Sequence, residues 1–268
     1  MKMMKKRLVV SMLAVVMVFA GCNKANDDTS SPAADEKGEV TIYLTRHGET
    51  MFNVLGKVQG WSDTPLTEEG EQIAVDLGKG LEGEITFAAA YSSDLKRAYD
   101  TGVSVLKGIG QEDIEVQQLA GLRESCCGQF EGESLETVGD SQVAQTEYKD
   151  YEAYEKAVRK DDEDTWSWFA NAHYHADQSG YAEKPETVKK RMTEAIMEIA
   201  EEQSENGGGN VLVVSHGMSI NIMLSGMTDK YTGESLKNAS VTKIHYKDGE
   251  LDVESIGDMS YLEKVEKE

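Results

Sequence analysis

Cysteine and proline are scarce in this chain, three of each in 268 residues, and bases are outnumbered by acids, 27 against 49. Each shortage excludes something. Cys126 and Cys127 are adjacent, and neighbours in the chain cannot staple distant segments, so the fold does not rest on a disulfide framework. Both are read as small apolar side chains, partly buried. A formal charge of −22 repels nucleic acid and anionic headgroups, because binding phosphates needs clustered cations. Any phosphorylated ligand must therefore be met by a local cationic pocket set against an unfavourable field. The apolar run at residues 8–19 is too short to span a bilayer as a helix, which takes about 20 residues. What remains is a chain with room for one sizeable core and a modest insertion.

The apolar run has the setting of an export signal. Lys2, Lys5, Lys6 and Arg7 precede it and Ala20-Gly21-Cys22 follow it, the order of basic, apolar and small-residue regions in such signals. Small residues placed directly before a cysteine resemble a bacterial lipoprotein signal, in which Cys22 is lipidated and becomes the mature N-terminus; cleavage by an ordinary signal peptidase is the alternative. Residues 1–21 are thus expected to be a signal peptide. Residues 22–39 are polar, with Ser, Asp, Ala and one Pro, and are expected to be a flexible tether. The folded domain is expected over 40–268, on a cell-envelope lipoprotein exported and anchored to a bacterial membrane.

Within that domain, strand-like and helix-like stretches alternate. Residues 40–45, 87–91, 114–119 and 211–214 are compact apolar or β-branched runs that predict strands. Helical spacing at Ile73, Ala74 and Leu77 predicts a helix over 67–80 with Thr67 as its N-cap. Further helices are expected over 98–106 and over 185–200, where Val188, Met192, Ile196 and Ile199 share a face and Pro185 suits the first turn. Residues 242–246 and 251–255 flank a turn, Lys247-Asp248-Gly249-Glu250, and predict a closing hairpin. The expected fold class is α/β, a doubly wound, mainly parallel sheet flanked by helices. Residues 131–184 break the rhythm. They are acidic and helix-prone, with Trp166, Trp168, Phe169 and Tyr174, and are expected to form an inserted cap over the sheet's active edge.

Ligands bind outside the carboxyl ends of the strands in such sheets, and two predicted strands end there in Arg46-His47-Gly48 and Ser215-His216-Gly217. A lone histidine is usually a core residue satisfied by hydrogen bonds. Two at matching strand ends, each followed by a glycine that leaves room for a ligand, point to a site. Arg46 adds a permanent planar cation suited to phosphate oxygens. Arg97 follows another strand end. His173-Tyr174-His175 would place two imidazoles on one face of an extended segment; lacking a third ligand to complete a zinc set, it is read as cap packing or a polar edge facing the substrate.

These residues fall into five ordered blocks: Arg46-His47-Gly48-Glu49-Thr50 with Asn53; Gln59-Gly60-Trp61 with Asp63, Pro65, Leu66, Thr67 and Gly70; residues 91–98; Leu122-Arg123-Glu124 with Gly128, Glu131 and Gly132; and residues 213–217. The series resembles the histidine phosphatase (phosphoglycerate mutase-like) superfamily. The resemblance implies that His47 is a nucleophile carrying a transient phosphoryl group and that Glu124 is the proton donor and acceptor. It implies that Arg46, Asn53, Arg97 and His216 bind the phosphoryl oxygens, and that neither metal nor cofactor is needed. A small phosphorylated substrate is the expected partner. The family also contains cofactor-dependent mutases, which carry basic residues just after the block-four glutamate; here Ser125-Cys126-Cys127 stand there, so hydrolysis is preferred to phosphotransfer. A third reading is a non-catalytic surface protein that binds phosphorylated ligands or a partner. Many members have Gly-Glu-Ser near residue 183, whereas Ala182-Glu183-Lys184 stand here, so Glu183 is expected to cap a helix or face solvent.

Overall fold

The computed structural model describes residues 37–161 and 163–265. The expected signal peptide, Cys22 and all but the last three residues of the expected tether lie outside the described residues. From its first described residues the chain is bound to the domain. The amide of Gly38 donates to Ser204 O (2.9 Å), and Ser204 Oγ donates to Gly38 O (2.7 Å). No helix among the described residues is long and apolar enough to cross a membrane.

Among the described residues six strands form one mixed sheet: β1 (Val40–Arg46), β2 (Phe87–Ser92), β3 (Val116–Gln118), β4 (Gly209–Ser215), β5 (Val241–Lys247) and β6 (Glu250–Asp258). Their order is β3-β2-β4-β1-β5-β6. The first four in that order are parallel, while β5 and β6 close the edge as an antiparallel hairpin. The hairpin turn is the expected one, with Asp248 and Gly249 both at positive φ (52° and 88°), as a two-residue turn matched to strand twist requires.

Buried on both faces, the central strands divide their side chains by the pleat. Ile42, Leu44, Val211 and Val213 pack under α7 (Pro185–Glu205) and α8 (Gly217–Met227). Tyr43, Leu212 and Val214 pack on the other face against α2 (Glu68–Leu81), α3 (Lys96–Ile109) and α9 (Ser260–Val265). Thr67 caps α2 as expected, its side chain accepting from the Gly70 amide (2.9 Å). Close approach of α2 to α3 depends on Gly78 and Gly108. A Cβ on either would stand 2.2 Å from Val105 O or 2.0 Å from Val75 O.

The inserted segment is helical, comprising α4 (Val138–Ala144), α5 (Tyr151–Val158) and α6 (Thr165–Ala176). It has its own small core of Tyr154, Trp168, Ala172 and Ala176, which reaches the main domain through Val58, Cys127 and Phe130. Tyr154 is fully buried, its hydroxyl donating to Ala172 O (2.6 Å). The His173-Tyr174-His175 segment is helical rather than extended. Residues two apart on a helix point about 200° apart; accordingly His173 is buried while His175 is not. Cys126 and Cys127 are more deeply buried than expected, with 4% and 3% of their surface exposed, and burial raises both thiol pKa values.

Candidate active site

β1 and β4 are parallel neighbours whose last paired residues are Arg46 and Ser215. His47 and His216 therefore leave the sheet side by side, with ring centroids 5.2 Å apart. Both are buried, at 4% and 0% exposed. His47 Nδ1 lies 2.7 Å from Gly48 O. A carbonyl only accepts, so Nδ1 carries the proton and Nε2 carries the lone pair. Arg97 Nε–H points at that lone pair from 3.4 Å. Burial above all, then the Arg97 and Arg46 cations, lowers the His47 pKa well below 6.5. Burial and the Arg97 charge do the same for His216. At neutral pH both rings are uncharged.

Arg97, at the start of α3, is fully buried, and its other nitrogens are fixed. Nη1 donates to Ser62 O (2.9 Å) and pairs with Asp63 Oδ1 (3.1 Å); Nη2 donates to Gly60 O (2.7 Å). Arg46 donates from Nη1 to Leu236 O (2.6 Å). Arg46 Nε and both ring nitrogens of His216 are buried and have no hydrogen-bond partner among the described residues. Leaving a buried donor unpaired costs about 1–3 kcal/mol, so the Arg46 Nε–H and the single N–H of the neutral His216 ring, both beside the His47 imidazole, mark the place where a ligand's acceptor oxygens belong.

Glu124 follows a 3-10 turn at Ala120–Leu122 and is 7% exposed. Its Oε1 accepts from the amides of Ser125 (2.9 Å) and Ser219 (2.8 Å), its Oε2 from that of Met218 (3.0 Å). The last two are first-turn amides of α8, where a negative charge is favoured by the helix dipole. Burial lowers the pKa of Arg46 and of Arg97, and the Glu124 carboxylate works against that shift in both.

Asn53 lies on α1 (Met51–Val54) and caps it reciprocally. Its Oδ1 accepts from the Thr50 amide and its own amide donates to Thr50 Oγ1, both at 3.2 Å. Thus the structure brings His47, Arg46, Arg97, His216 and Glu124 together, while the Asn53 side chain is engaged in the cap through its Oδ1.

Four residues that brace the site are not signalled by the sequence. Asn238 Nδ2 donates to His47 O (2.7 Å), and the Ala239 amide to Arg46 O (2.9 Å). Arg191 donates to the carbonyls of Gly121, Arg123 and Glu124 (3.0, 2.6 and 2.9 Å). Glu183 pairs with Arg191 (2.9 Å) and accepts from the Cys126 amide (3.0 Å). The expectation that Glu183 caps a helix or faces solvent is therefore corrected: its side chain is 14% exposed and braces the Glu124 loop. The two glycines also act otherwise than expected. A Cβ at Gly48 would meet Gly70 O at 2.3 Å, and one at Gly217 would meet Arg46 Nε at 3.2 Å. Gly48 makes room for the backbone of α2, and Gly217 for the Arg46 side chain.

An imidazole lone pair enclosed by two guanidinium groups and a second neutral imidazole defines an enzyme site for phosphoryl oxyanions. Comparison with known proteins agrees. The profile of the histidine phosphatase superfamily (branch 1) matches residues 42–153 and 140–259. A metal-independent phosphoserine phosphatase of Arabidopsis thaliana is 30% identical over 231 residues, 85% of this chain and 86% of that one. The broad-specificity phosphatase YOR283W of Saccharomyces cerevisiae is 30% identical over 218 residues, 79% and 82% of the two chains. A crystal structure of phosphoglycerate mutase from Bacillus anthracis str. Sterne is 39% identical and superposes with a TM-score of 0.76, covering 86% of this chain and 98% of that one. The chain belongs to the histidine phosphatase superfamily.

Proposed function

We propose that the protein hydrolyses small phosphomonoesters through a phosphohistidine on His47. Its Nε2 lone pair attacks phosphorus, forming the N–P bond as the ester P–O bond breaks. Glu124 passes a proton brought in by the monoanionic ester to the leaving alkoxide, then takes one from the water that cleaves the N–P bond and releases phosphate. Arg97, Arg46 and His216 donate to the phosphoryl oxygens, where charge collects in a loose transition state. Asn53 would join them through Nδ2, since its oxygen is held by the Thr50 amide. The observation that carries this reading is the His47 tautomer: a neutral ring with Nδ1 held by Gly48 O and Nε2 facing Arg97. Hydrolysis rather than phosphotransfer is supported by the side chains after Glu124, where the two cysteines are buried and uncharged. Phosphoserine, named in the Arabidopsis relative, is the first natural ester to try.

Steady-state hydrolysis of p-nitrophenyl phosphate by wild type and His47→Ala tests the proposal. Loss of at least about 10³-fold in kcat is expected, as when a nucleophile is removed from a catalytic group acting as a unit. Acid-labile phosphate should be trapped on the wild type alone. Equal turnover by the two proteins would refute it. We propose further that residues 1–21 direct export and that lipid on Cys22 anchors the protein to the cell envelope, on the basic, apolar and small-residue order of that segment.

A further inference from the structure

The Glu131 carboxylate, at the root of the cap, accepts four backbone N–H groups from two separate loops. Oε2 takes those of Gly60 (3.0 Å) and Ser62 (3.0 Å); Oε1 takes those of Trp61 (2.8 Å) and Cys127 (3.0 Å). Bonds from amides to a carboxylate are charge-assisted and stronger than neutral ones. The same loop grips Arg97 through its carbonyls, Gly60 O on Nη2 and Ser62 O on Nη1.

One peptide unit carries the coupling. The Gly60 C=O and the Trp61 N–H belong to a single rigid plane. Its oxygen receives the Arg97 guanidinium and its hydrogen points into the Glu131 carboxylate. Its dipole is thereby aligned with both charges, and turning it would break both bonds. The loop reaches Glu124 as well. Trp61 Nε1–H donates to Glu124 O (2.9 Å), sharing that carbonyl with Arg191 Nη2 (2.9 Å), while the Cys127 amide ties the far end of the Glu124 loop to Glu131. Asp63 pairs with Arg97 directly, but its hydrogen bonds are to Arg97 and the amides of Lys96 and Arg97. Glu131 joins both arms.

We infer that Glu131 is a positioning residue that sets Arg97 and Glu124 together through the 60–62 loop; the inference rests on the site reading above. Glu131→Gln tests it. Gln keeps one acceptor oxygen, enough for two of the four amides, and turns an NH2 toward the others. Kinetics with p-nitrophenyl phosphate, inhibition by inorganic phosphate and thermal unfolding are measured together. Displacing Arg97 is expected to weaken phosphate inhibition about tenfold and lower kcat by 10- to 100-fold, as roughly 1 Å of misplacement does. Trp61→Phe removes the indole bond to Glu124 and keeps an aromatic face for the Arg123 guanidinium that lies 4.7 Å from the Trp61 ring centroid. It is expected to lower kcat and shift the pH profile of kcat, with phosphate inhibition unchanged. Should Glu131→Gln not fold, Glu131→Asp, charged but too short for the three loop amides, is read by the same constants. A variant with a lowered melting temperature but wild-type kcat and phosphate inhibition would overturn the inference. If wild type and His47→Ala turn over the ester alike, the site reading itself fails, an outcome separate from this one.

Discussion

The two imidazoles at the sheet edge make folding sensitive to acid in a calculable way. For both, burial and the neighbouring Arg97 charge lower the pKa well below 6.5. In the unfolded chain each returns to about 6.5. Below that pH the unfolded chain binds protons that the folded chain does not, so stability falls as pH falls; above it the contribution is complete and flat. By pH 5 an unfolded histidine is mostly protonated, and a folded partner that stays neutral loses about 2 kcal/mol relative to neutral pH. Two such residues give about 4 kcal/mol, a large share of the roughly 5–15 kcal/mol that holds a domain folded. Urea unfolding at pH 8 and pH 5 in phosphate-free buffer measures it. The comparison is with a His47→Asn/His216→Asn variant, which removes both protons while leaving carboxylates and the buried His173 in place. Wild type should lose about 4 kcal/mol more than the variant between the two pH values. Equal losses would show that the two rings are not held neutral, and the nucleophile argument would go with them.

Two smaller tests follow. In Gly60→Ala the new Cβ would lie 2.3 Å from Glu131 Oε1 and 2.4 Å from Ser125 O, so the loop must move; kcat/KM is expected to fall about 100-fold, and unaltered kinetics would contradict the packing described. Expression in bacteria fed a labelled fatty acid should mark the wild-type protein in the membrane fraction but not Cys22→Ala; an unlabelled wild type would remove the proposed anchor.

The strands that carry the site were legible because apolar, β-branched runs stop abruptly at Arg-His-Gly and Ser-His-Gly, a change of pattern visible in a window of a few residues. By contrast, α8 was not. Ile220, Ile222, Met223 and Leu224 are all buried, so the helix is apolar on several sides and shows no stripe. Its N-cap, His216, makes no capping hydrogen bond. Yet its first amides hold Glu124, half of the proposed chemistry. Glu183 was misjudged for a related reason. Its partners, Arg191 and the Cys126 amide, come from a helix and a distant loop, and only folding reveals that they meet. Asn238 sits in a loop with no periodicity at all. The histidines of α6 were misplaced because an apolar, aromatic stretch of this length fits an extended or a helical backbone equally well, and the Asp164 side chain that caps α6 was overlooked.

The pairing of β1 with β4 has a consequence for how such a protein tolerates change. Because Arg46 stands opposite Ser215, the ladder of backbone bonds acts as a ruler that meters the gap between the two rings. Insertions in the cap or in surface turns leave the ruler untouched. A single residue gained or lost inside either strand would reverse the pleat beyond it and turn one ring to the opposite side of the sheet. Variation in length is thus cheap in the cap and the surface turns, and costly along the seven residues of β1 and the seven of β4 whose spacing is the instrument itself.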